Sequence, residues 1–200
     1  MTISVVKYPD KNSIDDSDQI RKNLEVGLNE LKFVIPENAR VLIKPNLCGR
    51  VREIKSENTS VAFLKAIIKI LNEYNCEILI AHTALLGLSD KKYPFELLAE
   101  EEGYIPLAEK YNNVSLLNLD EEPVDSYERG EITFKIPKIF KEVDLYINLT
   151  KMKTHVQTTA SLSIKNQMGI VSLKNKQDIH KFGIHNYLGE LAEILKPDLN

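Results

Sequence analysis

The chain has 200 residues, of which 43% are hydrophobic, and its formal net charge is −3 with a pI near 5.9. This composition suffices for a single domain over residues 1–200 with its own core, and the slightly acidic balance argues against nucleic-acid binding. No apolar run reaches the length of a membrane span and no signal segment opens the sequence, so we expect no membrane partner and a cytoplasmic location.

Strand and helix patterns alternate along the sequence. In chain order we predict a strand at 2–7, a helix at 17–32, a strand at 40–46, a helix at 60–74, a strand at 76–82, short helices at 94–102 and 106–111, strands at 114–119 and 132–136, a short helix at 137–142, a strand at 144–149, and helices at 158–169 and 184–195. Asp16 or Ser17 is expected to cap the first helix, and Asn58 or Thr59 the second. The alternation predicts an α/β fold with a mostly parallel central sheet and helices on both faces.

Three segments add detail to this prediction. Residues 120–131, "DEEPVDSYERGE", form an acidic, turn-rich stretch, and "ITFKI" after it is a candidate antiparallel strand. The final residues, "KPDLN", resemble the opening of another strand. We therefore expect the chain to be the N-terminal portion of a longer domain, truncated at its C-terminus.

Polar residues stand where two predicted strands end. Lys44 and Asn46 follow one apolar run, and His82 and Thr83 follow the next. In open α/β sheets ligands bind outside the carboxyl ends of the strands, which makes these residues site candidates. The alternatives remain open: a strand-end lysine reaching solvent, an asparagine in a turn, and a histidine hydrogen-bonded at the surface.

The segment "TKMKTHVQTTASLSIKNQMG", residues 150–169, carries several cations and no acidic residue. Lys151, Lys153 and His155 alternate, so an extended segment would direct all three to one side. Lys165 and Asn166 lie on the next predicted helix, whose free amino-terminal N–H groups favour an anion. The alternative is a solvated, lysine-rich loop.

These residues also carry a resemblance to a known family. In order, "VLIKPNLC", "DLYINLTKMKTH", "TTASLSIKNQMG" and a histidine ahead of "FGIHNYLGELAEI" resemble the motifs of domain-of-unknown-function family 362. By resemblance, the motif residues are Lys44, Asn46, Lys153, His155, Lys165, Asn166 and His180. Members of that family are often fused to, or encoded with, ferredoxin-type iron–sulfur modules, which implies a ferredoxin-type partner or fused module here.

The chain also departs from the family pattern. Ala81, His82 and Thr83 stand where the family places Gly with Asp or Glu, so no carboxylate role is carried over at this strand end. The family's later Gly-rich loop is absent from the sequence. Cys48 and Cys76 alone cannot ligate an iron–sulfur cluster, and any such cluster is expected beyond Asn200.

Two functional hypotheses follow. The first is an enzyme that acts on a small anionic metabolite, a carboxylate or a phosphate, and is redox-linked to an iron–sulfur module. Its catalytic residues would be Lys153, His155 and Lys165, its substrate-binding residues Lys44, Asn46, Lys151, Asn166 and His180, and it would use no metal. The second is a non-catalytic ligand-binding module, or one whose lysines dock a ferredoxin. The sequence leaves the cofactor unknown, but it lacks the Gly-rich loops that cradle dinucleotides and nucleoside triphosphates, which argues against either being held in the usual way.

Overall fold

A computed structural model of the protein describes residues 2–7, 15–49, 57–86 and 92–200. Within these residues the elements run, in order, α1 (Ser17–Leu31), β1 (Arg40–Pro45), α2 (Val61–Asn72), β2 (Glu77–His82), β3 (Leu85–Leu86), β4 (Lys92–Tyr93), α3 (Phe95–Glu101), α4 (Tyr104–Ala108), β5 (Val114–Asn118), β6 (Val124–Arg129), β7 (Ile132–Pro137), a 3₁₀ turn (Lys138–Lys141), β8 (Leu145–Leu149), β9 (Lys153–His155), β10 (Thr159–Ser161), α5 (Ser163–Asn166), a 3₁₀ turn (Gln167–Gly169), α6 (Leu173–Phe182) and α7 (Ile184–Ile194).

A parallel sheet forms the centre of the molecule. In the described part of the chain its strand order is β5-β2-β1-β8, and every pairing is parallel. Ile43 of β1 lies opposite Ile80 of β2 on one side and Ile147 of β8 on the other. Beyond β8, Leu199 forms a parallel bridge to Ile147. The predicted α/β class with a mostly parallel sheet is confirmed.

The sheet has a core on each face because successive side chains of a strand point to opposite sides. Ile43 and Ile147 belong to the core that packs under α1 to α4, whereas Leu42 and Tyr146 belong to the core under β7, α6 and α7. Strands buried on both faces need apolar residues at every position, which is why they were recognisable as continuous apolar runs. The prediction of helices on both faces is confirmed.

The first two long helices begin at defined caps. Asp16 caps α1 by accepting a hydrogen bond from the Asp18 backbone N–H at 2.9 Å. The cap of α2 is Ser60, which corrects the expectation of Asn58 or Thr59. Thr59 is instead buried, where its hydroxyl joins the ends of β1 and β8.

Several predicted elements are wrong. Residues 2–7 join no strand of the described chain and lie beside α1, where Gly27 leaves room for Ser4 and Val6. The acidic stretch, expected to be turn-rich, contains strand β6. "ITFKI" is the expected antiparallel strand, β7, but it pairs with β6 in a separate two-stranded sheet. In the predicted helix at 158–169, Thr159–Ser161 is instead strand β10, which pairs antiparallel with β9. The helical part is limited to the four-residue α5 and the 3₁₀ turn that follows it.

One helix was missed. Helix α6 has few apolar residues and an N-cap, Ser172, that accepts from the Asn175 N–H at 3.3 Å. It brings an additional lysine to the carboxyl edge of the sheet. Across the described residues, none of the helices is both long and apolar enough to cross a membrane.

Candidate active site at the carboxyl edge of the sheet

A cavity of about 640 Å³ opens at the carboxyl edge of the central sheet, between the end of β1, the β9–β10 hairpin, α5 and α6. Six of the eight site residues expected from sequence line it: Asn46, Lys153, His155, Lys165, Asn166 and His180. Lys176, Cys48 and Glu57 also line it and were not predicted as site residues. Among the described lining residues Glu57 is the one carboxylate, so the wall is predominantly cationic.

Lys44 lies beneath the cavity rather than on its wall. Its side chain is fully buried, and Nζ donates to the Pro45 carbonyl at 2.6 Å and to Asn166 Oδ1 at 3.2 Å. Asn166 in turn donates to Asn148 Oδ1 at 2.8 Å, so neighbouring strand ends are joined by buried amides. Burial, and next the charge of Lys176, holds the pKa of Lys44 well below its usual range. Lys44 therefore supports the cavity floor through Asn166.

His82 is the second buried base under the floor. It is fully buried, and its Nδ1 lies 2.6 Å from the Thr83 carbonyl, which fits an N–H at that nitrogen. Its Nε2 has no hydrogen-bond partner among the described residues. Burial, followed by the charges of Lys44 and Lys176, keeps the pKa of His82 well below its usual value, so the ring is neutral at pH 7.

Gly169 allows the cavity floor to lie directly on these two bases. A Cβ at this position would overlap His82 Nε2 and lie 2.6 Å from Lys44 Nζ. The Gly169 carbonyl also accepts hydrogen bonds at 3.1 Å from both the backbone N–H and the hydroxyl of Thr83. The glycine is required here by close approach of the backbone.

Lys153 lies on the outer side of the cavity. Its Nζ lies 2.7 Å from Cys48 Sγ, 3.3 Å from the Glu57 carbonyl and 3.5 Å from Glu57 Oε2. Burial raises the pKa of the Cys48 thiol, and the nearby Lys153 charge offsets only part of that effect. Cys48 is therefore a thiol at neutral pH.

His155, Lys165 and His180 form an interacting group. His155 Nδ1 accepts hydrogen bonds from the backbone N–H groups of Gln157 at 3.2 Å and Thr158 at 3.3 Å, so the proton of the neutral ring lies on Nε2. Burial, and next the charge of Lys165, lowers the pKa of both histidines. Burial, and next the charge of Lys153, lowers the pKa of Lys165. Each of these groups is therefore more readily deprotonated than an exposed counterpart.

Lys176 is the functional candidate that sequence reasoning missed. Its Nζ donates to Thr83 Oγ1 at 2.6 Å and to the Ala84 carbonyl at 2.7 Å. Burial lowers its pKa to about 7, although Asp120 raises it, and Lys165 adds to the lowering. Two signals in the sequence could have revealed its helix: the Ser172 cap, and the pair of Lys174 and Asp178 at helical spacing.

Two expected binding residues have other roles. Lys151 lies outside the described cavity lining and donates to the Asn58 carbonyl at 3.3 Å, so its expected binding role stays a prediction. Asn46 lines the cavity, but its amide donates to the Glu57 carbonyl at 2.7 Å. Its backbone N–H donates to the Leu149 carbonyl and Thr59 Oγ1. Asn46 therefore joins the end of β1 to the segment that precedes α2.

Comparison with known proteins agrees with the motif resemblance. The family described as Domain of unknown function (DUF362) matches residues 41–200. The chain belongs to this family. A thylakoid-associated protein of Synechocystis sp. is 28% identical to it over 179 residues, which are 84% of this chain and 52% of that protein. The chain thus spans about half the length of the curated relative that it matches.

The cavity lining of this DUF362 protein lies wholly within the matched range, from Asn46 to His180. The two cysteines lie at opposite ends of the sheet, since Cys48 follows β1 at the carboxyl edge and the buried Cys76 precedes β2. They cannot ligate one cluster. Among the described residues no group of three or more His, Cys, Asp or Glu side chains is placed to hold a metal ion.

Proposed function

We propose that this DUF362 protein is an enzyme that binds a small anionic metabolite, a carboxylate or a phosphate, in the cavity at the carboxyl edge of its sheet. One observation carries the proposal: among the described residues, five lysine and histidine side chains line the cavity together with a single carboxylate. These side chains are Lys153, His155, Lys165, Lys176 and His180. A volume of about 640 Å³ suits a small molecule rather than a single ion.

The electrostatics of the cavity favour the binding of an anion. The charges of the cavity lower one another's pKa values, as Lys165 does for His155 and His180. A bound anion would replace this repulsion by attraction and would raise those pKa values again. Anion binding should therefore be accompanied by proton uptake near neutral pH.

Residue roles follow from protonation and contacts. Lys153 supplies a positive charge for the anion and is held by Glu57. His155 is a candidate catalytic hydrogen-bond donor to the anion, because its neutral ring carries the proton on Nε2 while Nδ1 accepts from the backbone. Lys165 is the candidate proton acceptor because its pKa is lowered. His180 is a further anion ligand, and Asn166 fixes the cavity floor.

The geometry favours this function over ferredoxin docking. A docking patch would display its cations on an open surface, whereas the Lys153 side chain is only 13% exposed and Lys44 is fully buried. The exposed residues of the β9–β10 region are uncharged, among them Met152, Val156 and Gln157. If the reaction is redox-linked, the iron–sulfur cluster would belong to a partner or a fused module.

Calorimetric titration tests the proposal. Phosphate and acetate should bind the protein while uncharged acetamide does not, and Lys153→Met and Lys165→Met should each weaken binding about tenfold, equivalent to about 1.4 kcal/mol. Lys181→Met is the matched control, because Lys181 is an exposed lysine on α6 that contacts the Phe182 ring. Equal binding by all variants, or no binding of either anion, would refute the proposal.

A further inference from the structure

The amine of Lys176 is placed differently from the other lysines around the cavity. Within the described residues it forms no ion pair with a carboxylate, and both of its hydrogen-bond partners are neutral oxygens, Thr83 Oγ1 and the Ala84 carbonyl. A neutral amine has two N–H donors and one lone pair. The two contacts use both donors, so the lone pair remains free.

The surroundings of Lys176 favour that neutral form. The titratable groups that act on it are Asp120, which favours the charged form, and Lys165, which opposes it, together with burial. Lys44 and His82, buried under the same floor, each have their pKa lowered by the charge of Lys176. Protonating Lys176 therefore places a charge beside two bases that have no described acidic partner. An uncharged lysine in such a cavity is a nucleophile for carbonyl carbon.

The rest of the cavity defines what the amine would meet. Lys153 and Lys165 provide charges for a carboxylate, and Leu47, Leu85 and Leu173 provide an apolar portion of the wall. A substrate that fits the two charges, the Lys176 amine and the apolar wall carries an anionic group, a carbonyl group and a short apolar part.

We infer that Lys176 is a nucleophilic catalytic residue and that the cavity takes an oxo acid, whose carbonyl carbon the Lys176 amine attacks. This inference rests on the proposed anion-binding function. The Nζ lone pair forms the new C–N bond, two protons pass to the former carbonyl oxygen, and that oxygen leaves as water. The product is an imine between Lys176 and the acid, which water hydrolyses to regenerate both. The step needs no oxidant or reductant.

Reductive trapping tests the inference. The 200-residue protein is incubated at pH 7 with pyruvate and cyanoborohydride, and each lysine is examined by peptide mapping. Hydride addition converts the imine into a stable secondary amine. The mass of the modified lysine exceeds that of free lysine by the mass of the acid less the mass of one oxygen atom. Lactate, which has the carboxylate but no carbonyl, is the ligand control.

Labelling should concentrate on Lys176. With a pKa of about 7 about half of it is neutral at pH 7, whereas an ordinary exposed lysine, with a pKa near 10.4, is neutral in fewer than about one molecule in a thousand. Even after allowance for the lower nucleophilicity of a weaker base, labelling of Lys176 should exceed that of Lys174 by about tenfold or more. Lys174 lies two residues earlier on the same helix and is 76% exposed.

Variants separate the outcomes. Lys176→Arg keeps a hydrogen-bond donor and should lose the adduct while keeping its circular dichroism spectrum, and Lys174→Met should keep the adduct. If pyruvate and lactate both bind in calorimetry but no adduct forms, or labelling spreads evenly over the lysines, this inference is wrong and the proposed function stands. If neither acid binds while phosphate does, this inference is wrong and the proposed function stands. If none of the three anions binds, the proposed function fails as well.

Discussion

Replacing Gly169 by alanine should destabilise the protein because the new methyl group has no space. Its Cβ would overlap His82 Nε2 and lie 2.6 Å from Lys44 Nζ, and both side chains are fully buried. The imidazole is rigid and hydrogen-bonded to the Thr83 carbonyl. The lysine can move only by giving up its contact with Asn166. The substitution therefore forces either the backbone or a buried base to shift.

The magnitude combines two effects. Overpacking a tightly packed site costs about 1–3 kcal/mol, and the loss of one hydrogen bond from a buried amine adds about 1 kcal/mol. We expect Gly169→Ala to lower the free energy of unfolding by about 3 kcal/mol, a large part of the usual 5–15 kcal/mol or so. With a urea m-value of about 2 kcal/mol/M, the urea midpoint should fall by about 1.5 M.

Urea unfolding followed by circular dichroism measures this shift. Gly189→Ala is the control, since Gly189 is an exposed glycine in α7 whose added Cβ meets nothing within 4 Å. That variant should gain about 0.5–1 kcal/mol from helix propensity. If Gly169→Ala is as stable as the wild type, the packing of the cavity floor described above is incorrect.

Three further predictions concern the same region. Asn166→Ala should lower the free energy of unfolding, measured by urea titration, by about 2–3 kcal/mol because it leaves buried polar groups unpaired. Asn186→Ala, on the exposed side of α7, should change that free energy little. Equal effects of the two substitutions would contradict the buried amide network. Between the folded pKa of Lys176, about 7, and the usual lysine value, the unfolded chain binds more protons than the folded chain, so the free energy of unfolding should rise from pH 7 to pH 9. Lys176→Met should reduce that slope by on the order of 1 kcal/mol per pH unit. An unchanged slope would show that the amine is not buried. Iodoacetamide should label the exposed Cys48 before the buried Cys76. The rate of Cys48 labelling should still increase above pH 9 because the pKa of its thiol is raised, and phosphate should slow the labelling. Fast labelling of Cys48 at pH 7 would contradict the raised pKa.

The central sheet was predictable because three of its strands, β1, β2 and β8, are buried on both faces. The segments around Leu42, Leu79 and Tyr146 are continuous apolar runs, and their polar ends marked the carboxyl edge. Hairpins at the surface leave a weaker signal. Strand β6, "VDSYER", alternates exposed and half-buried residues, and its acidic neighbours resemble those of a turn.

The site was predictable only in part. Lys153 and His155 could be grouped from their spacing and from the family motifs, and both line the cavity. Sequence could not reveal that Lys44 is wholly buried, since that depends on Gly169, which follows it by more than a hundred residues. Lys176 was missed because its helix has too few apolar residues for a clear helical period.

Crystals soaked in selenate provide the most direct test of an anion site at the carboxyl edge of the sheet. Selenate is an oxyanion of phosphate-like size, and the selenium atom can be located by its anomalous scattering. The account predicts a selenium peak inside the cavity between Lys153 and Lys165, which is lost in the Lys165→Met variant. Peaks only at exposed lysines such as Lys174 and Lys181, with an empty cavity, would contradict it.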